Sequence, residues 1–97
     1  MTAIDEIAAE RRRQIETEGW TPEHDDTHWL GQLSIAASCY ALHSGDDESV
    51  RATRHVPHEW PWTQEWWKPT TARRDLIKAA ALIVAEIERL DRRESSI

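Results

Sequence analysis

Apolar residues recur at helical spacing in three stretches of the chain, and the polar segments between them hold its unusual residues. In the first stretch Ile4, Ile7, Ala8, Arg11 and Ile15 keep a three-to-four-residue period. Thr2 precedes it with an acid, Asp5, three residues on, which is the pattern of a capping box. Gly19 is a natural left-handed stop and Pro22 cannot continue a helix, so this helix is expected over about 3–18. The second stretch puts Trp29, Leu30, Leu33, Ala36, Ala37, Tyr40 and Ala41 on one face, with Asp26 or Thr27 as its cap. It predicts a helix over about 27–43, weakened by Gly31 and closed by Ser44-Gly45-Asp46-Asp47. In the third, Leu76, Ala79, Ala80, Ile83, Ile87 and Leu90 predict a core-facing helix over about 71–92, capped by Thr70 or Thr71. Ile77, Val84 and Ala79-Ala80-Ala81 widen that face, and alanines permit close packing on two sides or against a second copy. Glu94 to Ile97 are expected to fray.

Residues 44–58 are polar and aperiodic, which predicts a surface loop. In residues 60–69, Pro61 and Pro69 exclude a long helix but leave room for one turn over Thr63 to Trp67. No strand alternation and no internal repeat is present. The expected fold is all-α: a compact three-helix domain over 1–97, with a Trp/Pro-rich irregular segment before the long C-terminal helix.

Composition bears first on the core. The chain has 97 residues, with Trp six times, Tyr once and no Phe. A chain this short buries little apolar area, so large indoles or self-association would help it. Each indole N–H also needs a partner once buried. The four indoles from Trp60 to Trp67 cannot all face water without making a large apolar patch. Some of them should lid the core, and one or two should line a ligand pocket. The net charge of −6 disfavours a nucleic-acid polymer as partner, since phosphate neutralisation needs a cationic surplus. Local clusters at Arg11-Arg12-Arg13 and Arg73-Arg74 still suit a small phosphorylated ligand. The single Cys39 permits no intrachain disulfide and suits a reducing cytosol. The acidic, amphipathic N-terminus lacks the apolar run of a signal peptide and no apolar stretch reaches the length of a membrane span, so a cytoplasmic location without membrane contact is expected.

The stretch Glu18 to His28 concentrates candidate chemistry. His24 and His28 are spaced to share a helix face as metal ligands, with Asp25 and Asp26 beside them. The aspartates equally serve as helix caps, and that reading is preferred, with no metal or other cofactor expected. MazG-like nucleotide pyrophosphohydrolases hold Mg²⁺ with paired E-x-x-E and E-x-x-D motifs. Glu88-Arg89-Leu90-Asp91 supplies the second half, and the chain contains no E-x-x-E. Cys39, Ser34 and Ser38 show no signature of an activated nucleophile, so no catalytic residue is assigned. A third reading is recognition of a small anion. Arg13 lies beside the Gly19-Trp20 turn, and Lys68 and Arg74 flank the start of the third helix. The alternative for these cations is ordinary surface pairing with nearby acids.

Arg11-Arg12-Arg13-Gln14-Ile15 followed by Glu18-Gly19-Trp20-Thr21-Pro22-Glu23-His24-Asp25-Asp26 resembles a family of small bacteriophage and prophage proteins. The later Trp60 to Trp62, Trp66 to Pro69 and Arg73 to Ala79 patterns resemble that family too. It implies a phage origin but no established activity. Gly19-Trp20 with Asp25-Asp26 is more loosely similar to the RyR domain, although Pro22 and Glu23 replace that motif's aromatic residue and second glycine. The RyR likeness implies binding of a nucleotide-derived signal, and hence sequestration of a host defence messenger. The expectation is therefore a non-enzymatic, homo-oligomeric binder of a nucleotide-like ligand. Trp20 and one of Trp62, Trp66 or Trp67 would stack the base. Arg13, Lys68 and Arg74 would hold phosphate, and His24 and Asp25 would read polar edges. The competing expectations are an inhibitor that binds a host protein and a Mg²⁺-dependent pyrophosphohydrolase.

Overall fold

The computed structural model describes residues 1–95 and is all-α, with a long C-terminal helix. Helix α1 spans Ala3–Glu16. Its capping box forms as expected: Asp5 N–H donates to Thr2 Oγ1 at 3.2 Å and Thr2 N–H donates to the Asp5 carboxylate at 2.9 Å. Gly19 at φ +77° reverses the chain, and Trp20 N–H reaches back to the Gln14 carbonyl at 2.9 Å. A short helix α2, Pro22–Asp25, follows. Thr21 caps it by accepting from His24 N–H at 3.2 Å, and Pro22 stands where a missing N–H costs nothing.

The second long helix departs from expectation. Helix α3 spans Gln32–Ser44 and does not begin near residue 27. Gly31 is the break rather than a weak point inside a helix: it takes φ +84° and sits outside the first turn. Neither Asp26 nor Thr27 caps it. Asp26 accepts from the Arg92 guanidinium at 2.8 Å, and the Thr27 hydroxyl donates to the His24 carbonyl at 2.7 Å. Trp29 and Leu30 consequently lie outside both helices, each 66% exposed, and Ala41 also faces outward. The expected 44–58 loop contains helix α4, Glu48–Ala52, whose cap Asp47 accepts from Val50 N–H at 3.1 Å. Five residues are too few to show a period. The Trp-rich segment makes one 3₁₀ turn, Gln64–Trp66, as its prolines allow. Helix α5 spans Ala72–Ser95, with Arg74 N–H donating to the Thr71 cap at 3.1 Å. Glu94 and Ser95 are helical, and Ser96 and Ile97 lie outside the described residues. Among the described residues no helix is long and apolar enough to cross a membrane.

Helix α5 is central, with α1 and α3 both packed against it. Its buried side is Ile77, Ala79, Ala81, Leu82 and Ala85, and Ala81 and Leu82 are fully enclosed. The expected core face is mostly the outer one: Leu76 is 51% exposed, Ile83 50%, Ile87 52% and Leu90 41%. Packing geometry explains the reversal. Small alanines let two helices approach α5 closely, whereas a ridge of branched aliphatic side chains would hold them apart. Helix α1 buries Glu10, Arg11 and Gln14, while Ile4 is exposed, so charged groups rather than an apolar stripe join α1 to its neighbours. The apolar core lies between α3 and α5 and is closed by Trp60 and Trp67. Tyr40 stacks on Trp67 with ring centroids 4.7 Å apart and meets the edge of Trp60. Its hydroxyl accepts from Lys68 N–H at 3.2 Å, and burial pushes the phenol up to about 12. Cys39 is buried there, and burial likewise raises its thiol, which leaves it a small core side chain.

Candidate functional site

The turn after α1 and the Trp-rich segment meet across a cavity of about 570 Å³. Trp20, His24, Asp25 and His28 form one side, Pro61, Trp62, Thr63 and Trp66 the other, and Leu33 of α3 adds an apolar wall. Trp20 is the shared surface. Its ring centroid lies 5.6 Å from that of Trp62 and 5.9 Å from that of Trp66, with planes tilted by 52° and 49°. Rings this close leave no slot between them, so a flat ligand would lie against the indole faces rather than intercalate. His28 packs on Trp62 at 5.1 Å and meets the edge of His24 at 5.0 Å. The Trp62 Nε1–H is buried and has no acceptor.

Asp25 is buried in this wall, and Arg11 holds it there. The Arg11 guanidinium donates to Asp25 at 2.7 Å, to the Trp20 carbonyl at 3.3 Å and to Glu88 of α5 at 3.2 Å. One side chain thus ties α1, the Gly19-Trp20 turn, α2 and α5 together. Asp25 is buried, which raises its carboxyl above the ordinary value, while the Arg11 charge and hydrogen bond oppose that rise.

No protein-family model, curated protein or solved structure matches the chain.

Of the residues singled out in the sequence, Trp20, His24, Asp25, Trp62 and Trp66 come together at the cavity. Trp67 does not line it. It is buried in the core against Tyr40, Trp60 and His43, because Trp66 and Trp67 follow each other and point to opposite sides of the segment. Arg13, Lys68 and Arg74 do not line the cavity either; Arg13 and Lys68 lie beside Trp20 and Trp66 on another side. Glu10 and Glu18 occupy them. Arg13 donates to Glu10 at 2.8 Å and to Glu18 at 2.9 Å, Arg74 pairs with Glu10, and Lys68 lies 3.7 Å from Glu18 and over the Trp66 ring. Burial alone would raise the Glu10 carboxyl. The charges and hydrogen bonds of Arg13, Arg74 and Gln14 outweigh it and hold the group below its ordinary value. The structure thus pairs these cations with acids, the ordinary alternative to a phosphate cradle.

The sequence reading missed Arg11, which the structure makes the anchor of the site. Its signal was its place in the apolar register of α1, where a charged side chain is buried only with partners. Leu33, Pro61 and Thr63 were missed as well, since nothing in their local sequence marks them. The imidazoles of His24 and His28 are adjacent, but among the described residues no three His, Cys, Asp or Glu side chains are grouped so as to hold a metal. Glu88 of the E-x-x-D sequence is engaged by Arg11, while Asp91 is exposed.

His28 gives the site a pH dependence. Its pKa is lowered mainly by burial, then by the nearby charges of His24 and Arg89. A histidine whose folded-state pKa is lowered contributes stability above its unfolded value of about 6.5, and that contribution is lost as pH falls towards the folded value. The melting temperature should therefore drop between about pH 7.5 and about pH 5.5, and His28→Gln should flatten the drop. An unchanged slope in the variant would contradict this role for His28.

Proposed function

We propose that the protein binds a small molecule bearing a nucleobase or a similar flat heterocycle, taken base-first into the Trp20–Trp62–Trp66 cavity. The observation that carries this reading is the meeting of three indole faces in a single cavity of about 570 Å³, whose wall is fixed by the buried Arg11–Asp25 pair. Indole faces stack any base, and the buried Arg11–Asp25 pair holds the wall around them in place. His24 and His28 offer polar contacts beside them. The likeness of Gly19-Trp20 and Asp25-Asp26 to the RyR layout supports the same ligand class. In a phage-encoded protein, such binding would remove a nucleotide signal from the host.

The placement of the cations narrows the ligand. Arg13 and Arg74 are paired with Glu10, so phosphate groups should add little affinity. A thermal-shift panel of nucleosides and their mono- and triphosphates tests both parts. The expected result is a rise in melting temperature with at least one nucleoside, matched within about twofold in affinity by its phosphates and abolished by Trp20→Ala. No response to any member at about millimolar concentration would sink the proposal. Capture of one stoichiometric protein partner in its place would favour the host-protein inhibitor. Pyrophosphate release from nucleoside triphosphates, lost in Glu88→Gln, would favour the hydrolase.

A further inference from the structure

The last turns of α5 border a second cavity of different character. Arg89, Arg92 and Arg93 stand three and four residues apart and share one helix face, while Asp91 and Glu94 fall off it. With Asp26 and Trp29 they line a recess of about 490 Å³, and no residue of the Trp20 cavity lines it. That volume lies within the range of small-molecule sites. We infer that this recess binds a small aromatic carboxylate, its ring against Trp29 and its carboxylate against Arg89.

Hydrogen-bonding capacity selects an anion. Asp26 is the one carboxylate of the lining, and Arg92 clasps it through Nε at 3.2 Å and Nη2 at 2.8 Å. Arg89 donates to Glu86 through Nε at 2.6 Å and Nη2 at 3.0 Å, and its Nη1 has no partner among the described residues. Arg89 is only 6% exposed, so Glu86 and the surrounding chain hold this open edge rigidly in the wall it lines. A guanidinium edge already fixed in place loses little freedom on taking an oxyanion. Trp29 supplies the selectivity for a ring. It is 66% exposed, and its indole meets no other ring and no acceptor among the described residues. A flat group can cover that face while its anion reaches the arginines. Charge then favours carboxylate over phosphate. The net charge of −6 and the negative end of the α5 dipole both oppose a dianion here, whereas a single charge suits one guanidinium edge. Adenosine and guanosine carry no anion, so the two cavities take different molecules.

Titration of the full chain with benzoate, followed by indole ¹⁵N–¹H spectra and calorimetry, tests the inference. The Trp29 Nε1–H signal should move and saturate with a Kd of about 1 mM or below, which a ligand of this size can reach. Signals of Trp20, Trp62 and Trp66 should stay in place. Benzamide keeps the shape without the charge, and acetate keeps the charge without the ring. Each should bind about tenfold more weakly or worse, and phenyl phosphate should bind no better than benzoate. Arg89→Lys keeps a charge for Glu86 but loses the fork, and should weaken benzoate about fivefold or more. Trp29→Ala removes an exposed side chain, so it should retain the helical circular dichroism of wild type while calorimetric benzoate binding is lost. No saturable Trp29 movement up to about 20 mM benzoate would overturn the proposal. An equal response to benzamide, tighter binding of phenyl phosphate, or unchanged binding in Trp29→Ala would overturn it as well. So would benzoate shifts centred on Trp20, Trp62 and Trp66.

Discussion

Arg11→Ala is expected to lower stability by about 3–5 kcal/mol, the cost of leaving a buried charge without its partner. Asp25 is 1% exposed and Arg11 7%, so water does not replace the lost pairing. The same change frees Glu88 and the Trp20 carbonyl, and loosens the docking of α1 and α2 on α5. For a domain of this size the melting temperature should fall by roughly 15–30 °C, and the protein should be largely unfolded at 37 °C if its total stability is ordinary. The double variant Arg11→Met with Asp25→Asn removes both charges and should recover much of the loss. Thermal unfolding followed by circular dichroism checks both. An Arg11→Ala protein melting within about 3 °C of wild type would contradict the assignment of Arg11 as the anchor.

The neighbouring tryptophans Trp66 and Trp67 should separate stability from binding. Trp67→Ala removes a side chain that stacks on Tyr40 and meets Trp60 and His43 inside the core, and should cost about 3–5 kcal/mol. Trp66 is 37% exposed and lines the cavity, so Trp66→Ala should cost about 1 kcal/mol or less while weakening nucleoside binding severalfold. Urea denaturation and ligand titration on both variants measure the contrast. Equal stability losses would show that the two indoles do not divide between core and cavity.

Much of the fold was legible because strong local signals agreed with tertiary packing. The capping box at Thr2 and Asp5, the stop at Gly19 and the long apolar period of α5 all fall where sequence rules place them. Four features were not legible, each for a physical reason. Helix α5 carries two apolar faces, and periodicity cannot say which one is buried. The alanine face is buried because it allows close approach, a property of neighbouring helices rather than of α5. Gly31 reads as a tolerable residue inside a helix, yet it takes a left-handed conformation and divides the segment. The cavity joins residues about forty positions apart, so its indoles could be nominated individually but not sorted. Trp66 and Trp67 have the same local sequence context and opposite fates. The acids of α1 decided the cations: Glu10 is fully buried beside Arg13 and Arg74, which a list of positive residues does not reveal.

The most direct test of the cavity as the binding site is an indole ¹⁵N–¹H spectrum recorded while adenosine or guanosine is added. The chain's six tryptophans give six separate Nε1–H reporters. Signals of Trp20, Trp62 and Trp66 should shift together and saturate, while those of Trp29, Trp60 and Trp67 should stay in place. Movement confined to the exposed Trp29, or no saturable movement with either nucleoside, would contradict a base-binding site at this cavity.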